Sequence, residues 1–227
     1  MYIIEAEVTL CSAGGRSRRW RGVDAARYDA AAMKLNMGCG HNKLAGYVNV
    51  DLYAECAPDV VCDLERLPWP WPDDAVDRVV FNHSLEHLGQ ASRTFLGMMQ
   101  ELYRVCRDRA EIEIVVPHPR SDDFLGDPTH VRAITPNLLS LFNRELNDRW
   151  REVGASNSPL AYYLGVDFVL ARSEQVLAEP YAGQYAQGVL AAEHVDTMAR
   201  ELNNIVREYR MLLVVRKRLD ATVAGVR

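Results

Sequence analysis

The sequence predicts an α/β domain built on one sheet of about seven strands with helices on both faces. Three observations lead there. Short apolar runs that end in small or acidic residues recur from residue 33 onward, as MKLNM, YVNVD, DVVCD, AVDRVVFN and AEIEIVVP, the texture of parallel strands buried on both faces. Between the last two, SRTFLGMMQELYRVCRD places Phe95, Leu96, Met99, Leu102, Tyr103 and Cys106 at spacings of one, three and four, so a helix with one apolar face joins two strands by a right-handed crossover. The chain has 227 residues, 48% apolar and 25% charged, which suits one sizeable domain able to bury its own core.

Taken in order, YIIEAEVTL at 2–10 reads as a partly exposed strand and CSAGGRSRRWRG as a basic turn, so residues 1–32 form an N-terminal extension. The main domain runs from 33 to 217. Its polar segment 118–134, HPRSDDFLGDPTHVRAI, leaves the carboxyl end of AEIEIVVP, where open parallel sheets hold ligands, and reads as a lid loop. Thr135 followed by Pro136 is a cap and first-turn pair that opens a helix through Leu138, Leu139 and Phe142. GVDFVLAR at 165–172 is the next strand, and a helix from about 185 to 206 follows. The apolar side of that helix (Val189, Leu190, Val195, Met198, Leu202, Val206) packs within the chain or admits a homodimer. REYRMLLVVRKR closes the sheet, and 218–227 is a tail.

Lys and Arg total 26 against 31 Asp and Glu, a formal charge of -5 that gives no general field for a phosphate backbone, although Arg16, Arg18, Arg19 and Arg21 cluster. Nucleic acid is therefore disfavoured as a partner. The five cysteines form no CxxC pair and leave one over from any closed disulfide set, which points to a reducing compartment. Glu5 and Glu7 interrupt the first apolar stretch and no apolar run is long enough to span a bilayer, so a cytoplasmic protein with no membrane partner is expected.

The sharpest local feature is Leu35-Asn36-Met37-Gly38-Cys39-Gly40 at the end of the first sheet strand. Paired glycines allow a tight turn and a close backbone approach to a ligand, or simply reverse the chain. Lys43 stands where a dinucleotide fingerprint needs its third glycine, and Asp51 comes only thirteen residues after Gly38, too early for a nicotinamide site. An acid at that strand end can still accept both hydroxyls of a ribose, and Asp63, with Leu64 beside it, can meet an adenine amine and ring face. A solvated strand end and a turn cap are the plainer uses of the two acids. A glycine turn followed by acids at the next two strand ends suits a nucleoside without a pyrophosphate.

The text KLNMGCGHNKLAGYVNVDLY, DVVCDLERLPWPWPDDAVDRVVFNHSLEHL, FLGMMQELYRVCRDRAEIEIVVPHP and DPTHVRAITPNLLSLF resembles the class I S-adenosylmethionine-dependent methyltransferases, in the small type with a shortened first crossover. The resemblance covers residues 33–142, with weaker support from REYRMLLVVRK. It implies a Rossmann-like seven-stranded, mostly parallel sheet with an antiparallel last strand, and S-adenosyl-L-methionine as cofactor. It also implies that Asn36, Met37, Gly38, Cys39 and Gly40 lie beside the methionine part of the donor, Asp51 and Leu52 at the ribose, Asp63 and Leu64 at the adenine, and Asn82-His83-Ser84 on the methionine and acceptor side. The sequence departs from the family at Asn36, where an acid is usual, and at Arg107-Asp108-Arg109, where paired glycines commonly precede the fifth strand.

Methyl transfer from a sulfonium is an in-line displacement that needs orientation, a dry cavity and, for a hydroxyl or ammonium acceptor, a place for a proton. Histidine takes a proton near neutrality, and His118, His130 and His83 are the candidate catalytic residues. His83 and His87 share a face if SLEH opens a helix, and His118, Asp122, Asp123, Asp127 and His130 are further possible ligands. Glu86 lies inside NHSLEH, unlike an HExxH arrangement, and no metal is assigned. Trp69-Pro70-Trp71-Pro72 reads first as loop packing. The expected function is S-adenosylmethionine-dependent methyl transfer to a small-molecule acceptor, with oxygen slightly favoured over nitrogen. The alternatives are a noncatalytic nucleoside-binding regulatory or scaffold protein and a methyltransferase acting on protein or nucleic acid.

Overall fold

The computed structural model describes residues 33–217, so the expected N-terminal strand and basic turn at 1–32 and the tail at 218–227 lie outside the described residues. Strands β1 (Met33–Met37), β2 (Val48–Asp51), β3 (Val60–Val61) and β4 (Val76–Asn82) precede helix α1 (Ser92–Val105) and strand β5 (Cys106–Pro117). Four short helices follow: α2 (Asp122–Leu125), α3 (Pro136–Ser140), α4 (Arg144–Glu152) and α5 (Leu160–Leu164). Strand β6 (Phe168–Leu177), helices α6 (Tyr181–Ala186) and α7 (Ala192–Glu201) and strand β7 (Val206–Val215) complete the chain. The sheet has seven strands in the order β3-β2-β1-β4-β5-β7-β6. β7 runs antiparallel to both of its neighbours and the remaining pairs are parallel, as the resemblance implies. Strand order reverses between β1 and β4, so the carboxyl ends of these two strands flank the crevice where an open α/β sheet binds ligands.

Alternation along the strands builds one face into the core. Ile112, Ile114 and Val116 of β5 are fully buried, and Leu213 and Met211 of β7 stand opposite Ile112 and Ile114. α1 covers them through Phe95, Met98, Met99, Leu102 and Val105, the spacings of three and four that its sequence carries. Phe142 sits with its ring 6.2 Å from Phe95 and 6.5 Å from Phe168, both edge to face. The intervening residues Glu111 and Glu113 point the other way and pair with Arg78 of β4 in half-exposed positions. Trp69 and Trp71 are buried and meet edge to face, and the Trp69 indole N–H donates to Leu64 O, so the WPWP segment packs on the core.

Several boundaries differ from expectation. The helix expected from about 185 to 206 is two helices, because Gly188 takes a left-handed φ of 71° just after α6 and β7 already begins at Val206. Part of its apolar side is used internally: Ala199 and Met198 pack with Ile205, Val206, Leu177 and Tyr181. β6 runs five residues beyond the expected Arg172, since ladder bonds to β7 support the polar stretch Ser173-Glu174-Gln175 that no alternation marks. SLEH does not open an α-helix. Leu85–His87 forms a single 3₁₀ turn and His83 lies before it with φ 51°, so His83 and His87 share no helical face. At the entry to β5, Arg109 adopts φ 63°, the left-handed position that the missing glycines would fill. Thr135 caps α3 as expected, its hydroxyl accepting from Leu138 N–H at 3.1 Å. Among the described residues no helix is long and apolar enough to cross a membrane.

Candidate active site

The glycine turn leaves β1 at the crevice. Gly38 and Cys39 N–H both donate to Val50 O at 2.9 Å, which ties the turn to β2. The Ser84 hydroxyl, just past β4, donates to Met37 O at 2.8 Å. This contact brings the two strand ends so close that a Cβ on Gly38 would lie 2.5 Å from Ser84 Cβ, and Gly38 also has φ 69°. Gly40 has φ 49° but open space around its Cα, so only its backbone conformation asks for glycine. Asp51 is buried, with Oδ2 accepting from Gly40 N–H at 2.7 Å and Oδ1 from Tyr53 N–H at 2.9 Å. Asp63 accepts from Glu65 N–H at 3.0 Å and pairs with the exposed Arg66 at 3.1 Å. Leu64 is buried in the core, whereas Leu52 is 51% exposed beside Asp51.

Asn36 has a structural partner set that explains the departure from an acid. Its buried amide donates to Asn42 O and to Asn49 Oδ1, both at 2.9 Å. Asn49 Oδ1 also accepts from Leu44 N–H, while Asn49 donates through its backbone N–H and its amide to Asp59 Oδ2. Those two bonds hold the Asp59 carboxyl below its ordinary value. This network pins the helix-free connection from β1 to β2, and a carboxylate at 36 could not donate into it.

Just past β4, His83 stands between two carboxylates, with Nδ1 3.6 Å from Glu86 Oε1 and Nε2 3.3 Å from Glu208 Oε2. Glu86 first and then Glu208 hold this imidazole above its ordinary value against the opposing effect of burial. Burial works against the Glu208 carboxylate, but Arg210, Arg207 and His83 outweigh it and keep Glu208 below its ordinary value. Asn82 and His83 border a cleft whose other wall is Arg172 of β6 and Arg207, Glu208 and Arg210 of β7. His118 is buried against Tyr209, with ring centroids 4.9 Å apart, and its Nδ1 accepts from Arg120 N–H at 3.2 Å, so the neutral ring carries its proton on Nε2. Burial, then the Arg120 charge, push His118 below its ordinary value.

No family model matches this sequence, and neither does any of the curated proteins. Solved structures do. A S-adenosylmethionine-dependent methyltransferase from Archaeoglobus fulgidus superposes with a TM-score of 0.55 at 18% identity, over 84% of this chain and 89% of that one. The fold is that of the S-adenosylmethionine-dependent methyltransferases. A putative S-adenosylmethionine-dependent methyltransferase from Listeria monocytogenes gives 0.49 at 10% identity, over 82% of this chain and 92% of that one. The YcgJ protein from Bacillus subtilis gives 0.47 at 14% identity, over 86% and 95%.

Within this methyltransferase fold, loop 118–134 is fastened to the 3₁₀ turn: Val131 and Arg132 N–H donate to Glu86 O, and the Arg132 guanidinium to Gly89 O. The fastening brings His130 to His87, ring centroids 4.6 Å apart, while Phe124 stacks on His130 at 5.3 Å. His130 Nδ1 bonds Phe124 O at 2.9 Å, a carbonyl that can only accept, so Nε2 keeps a lone pair. His118, His130 and His83 thus stand in three different hydrogen-bonding states. Sequence reasoning missed Glu208, Arg207 and Arg210, because only the insertion of β7 between β5 and β6 brings the closing strand to the crevice. Their signal is the charged REYR at the start of an otherwise apolar strand.

Proposed function

We propose that the protein transfers the methyl group of S-adenosyl-L-methionine to a small-molecule acceptor, with oxygen favoured over nitrogen. The observation that carries this reading is the carboxyl edge of a methyltransferase-fold sheet where a glycine turn closed against Ser84 is followed by Asp51 and Asp63 at the next two strand ends. The turn, Asn36 to Gly40, borders the methionine moiety. Two backbone N–H groups aim the Asp51 carboxylate, and each of its oxygens retains a lone pair for a ribose hydroxyl. Asp63 accepts from the adenine amine. Leu64 is buried in the core, so the exposed Leu52 supplies the apolar surface at the nucleoside.

Asn82 and His83 lead from the methionine end into the acceptor cleft. Of the three candidate catalytic histidines, His118 presents an Nε2–H that positions an acceptor by donating to it, while His83, with its two nitrogens turned to Glu86 and Glu208, lines the acceptor cleft. His130 keeps the lone pair that a departing proton needs. Titration calorimetry with S-adenosylmethionine and S-adenosylhomocysteine tests the donor site. Saturable binding is expected, weakened at least about tenfold in Asp51→Ala by loss of charge-assisted hydrogen bonds worth roughly 1.5–3 kcal/mol. Folded wild-type protein that binds neither ligand would overturn the reading.

A further inference from the structure

Glu86 is 1% exposed and neither of its carboxylate oxygens receives a hydrogen bond among the described residues. His83 Nδ1, 3.6 Å from Oε1, is a nearby charge partner but lies outside hydrogen-bond reach, and a buried carboxylate that no donor bonds is costly unless a further cation serves it. Its neighbours supply the rest of a coordination sphere. One donor atom from each of Glu86, His87 and His130 lies within 4.8 Å of the other two. Hydrogen bonds at the other ring nitrogen set both imidazoles for ligation. Thr129 gives its hydroxyl proton to Asp127 at 2.6 Å, so its oxygen accepts from His87 Nδ1–H at 2.9 Å and leaves a lone pair on His87 Nε2. His130 Nδ1–H donates to Phe124 O, which frees its Nε2 in the same way. Asp127 Oδ2, 3.8 Å from His130 Nε2, adds a second negative charge.

We infer that Glu86, His87 and His130 form a binding site for a divalent transition-metal ion. Two imidazoles and one carboxylate favour a borderline ion such as Zn²⁺ or Co²⁺ over Mg²⁺ or Ca²⁺, which prefer oxygen donors throughout. Donors around a tetrahedral ion with bonds of ~2.1 Å are about 3.4 Å apart, so the three side chains close by at most roughly 1.5 Å on loading. Three protein ligands leave a fourth position open to water or to an acceptor oxygen. The site departs from the metal-free expectation of the sequence. In the loaded protein the lone pair of His130 is a ligand, and coordination takes the place of direct proton acceptance by that residue. The site itself does not depend on the donor-binding reading.

The test is a titration of chelator-treated, dialysed full-length protein with CoCl₂ and ZnCl₂, followed by visible absorption and calorimetry and using neither methyl donor nor acceptor. One Co²⁺ per chain is expected, with the visible bands of a four- or five-coordinate ion, no near-ultraviolet thiolate band, and displacement by Zn²⁺. Affinity should fall more than about 100-fold in His87→Ala and in His130→Ala and stay unchanged in His41→Ala. Long-range ¹H–¹⁵N imidazole spectra of the wild-type protein give the same information should a variant fail to fold: zinc should shift the unprotonated Nε2 of two histidines and leave His118, unprotonated at Nδ1, unmoved. Absence of saturable binding, a thiolate band, or full affinity in both histidine variants would overturn the site. None of these outcomes bears on donor binding, which the Asp51→Ala titration decides separately.

Discussion

Replacing Gly38 by alanine should destabilise the protein through two separable effects. The added Cβ would lie 2.5 Å from Ser84 Cβ and 3.1 Å from its Oγ, and the backbone φ of 69° is left-handed. The left-handed conformation costs an alanine about 1–2 kcal/mol. Crowding of a rigid Cβ against a strand end costs about 1–3 kcal/mol. Reduced freedom of the unfolded chain returns about 0.4–1 kcal/mol, which leaves a net loss of roughly 1–5 kcal/mol. Ser84→Gly alone loses the hydroxyl bond to Met37 O and gains backbone freedom, about 1–2 kcal/mol. In the double variant both Ser84 atoms responsible for the crowding are gone, and Ser84 Cα at 3.8 Å is an ordinary contact. Only the φ cost then persists, so the double variant should be about 1–3 kcal/mol more stable than additivity allows. Urea unfolding of the four proteins reads this as a shift of midpoint at constant m-value. Additive losses within about 0.5 kcal/mol would refute the claim that the approach of Ser84, and not backbone conformation alone, requires glycine at this position.

Asn36→Asp, which restores the acid usual in the resembling family, should destabilise by at least about 2 kcal/mol, because a buried carboxylate would face the two acceptors that the amide now serves. Equal urea midpoints for wild type and variant would dismiss the network as the reason for the amide. His118 gives a pH dependence of definite sign. Its folded pKa lies below the ordinary 6.5, so as pH falls below 6.5 the unfolded chain takes up the proton first and stability declines until the folded pKa is passed. Above pH 6.5 the contribution is fully present. Unfolding free energies of wild type and His118→Gln across this window should differ in slope, with the wild type steeper, and parallel curves would show that burial of His118 carries no such linkage.

The sequence by itself determined the sheet and the line of the crevice. MKLNM is β1 to the residue, a short apolar run that ends at a glycine pair and is buried toward its carboxyl end. Thr135-Pro136 opens a helix through local capping chemistry, and the glycine turn, Asp51 and Asp63 mark three adjacent strand ends through the same short-range rules. Periodicity misled where tertiary pairing outweighed it. The apolar spacing over 185–206 spans two helices and the start of a strand, since one glycine at 188 and the pull of the β5–β7 ladder outweigh a helical pattern. The contacts of His83 and His130 were hidden for a related reason. Glu208 reaches His83 only because β7 inserts between β5 and β6, and His130 reaches His87 and Glu86 only because loop 118–134 hydrogen-bonds to Glu86 O. Which nitrogen of His130, His87 and His118 carries the proton follows from Phe124 O, Thr129 Oγ1 and Arg120 N, partners from the chain's own loops that no spacing rule identifies. Sequence encodes local conformation and burial periodicity, both short-ranged. Protonation states and converging donor atoms arise from contacts between distant segments, and only the folded chain brings those together.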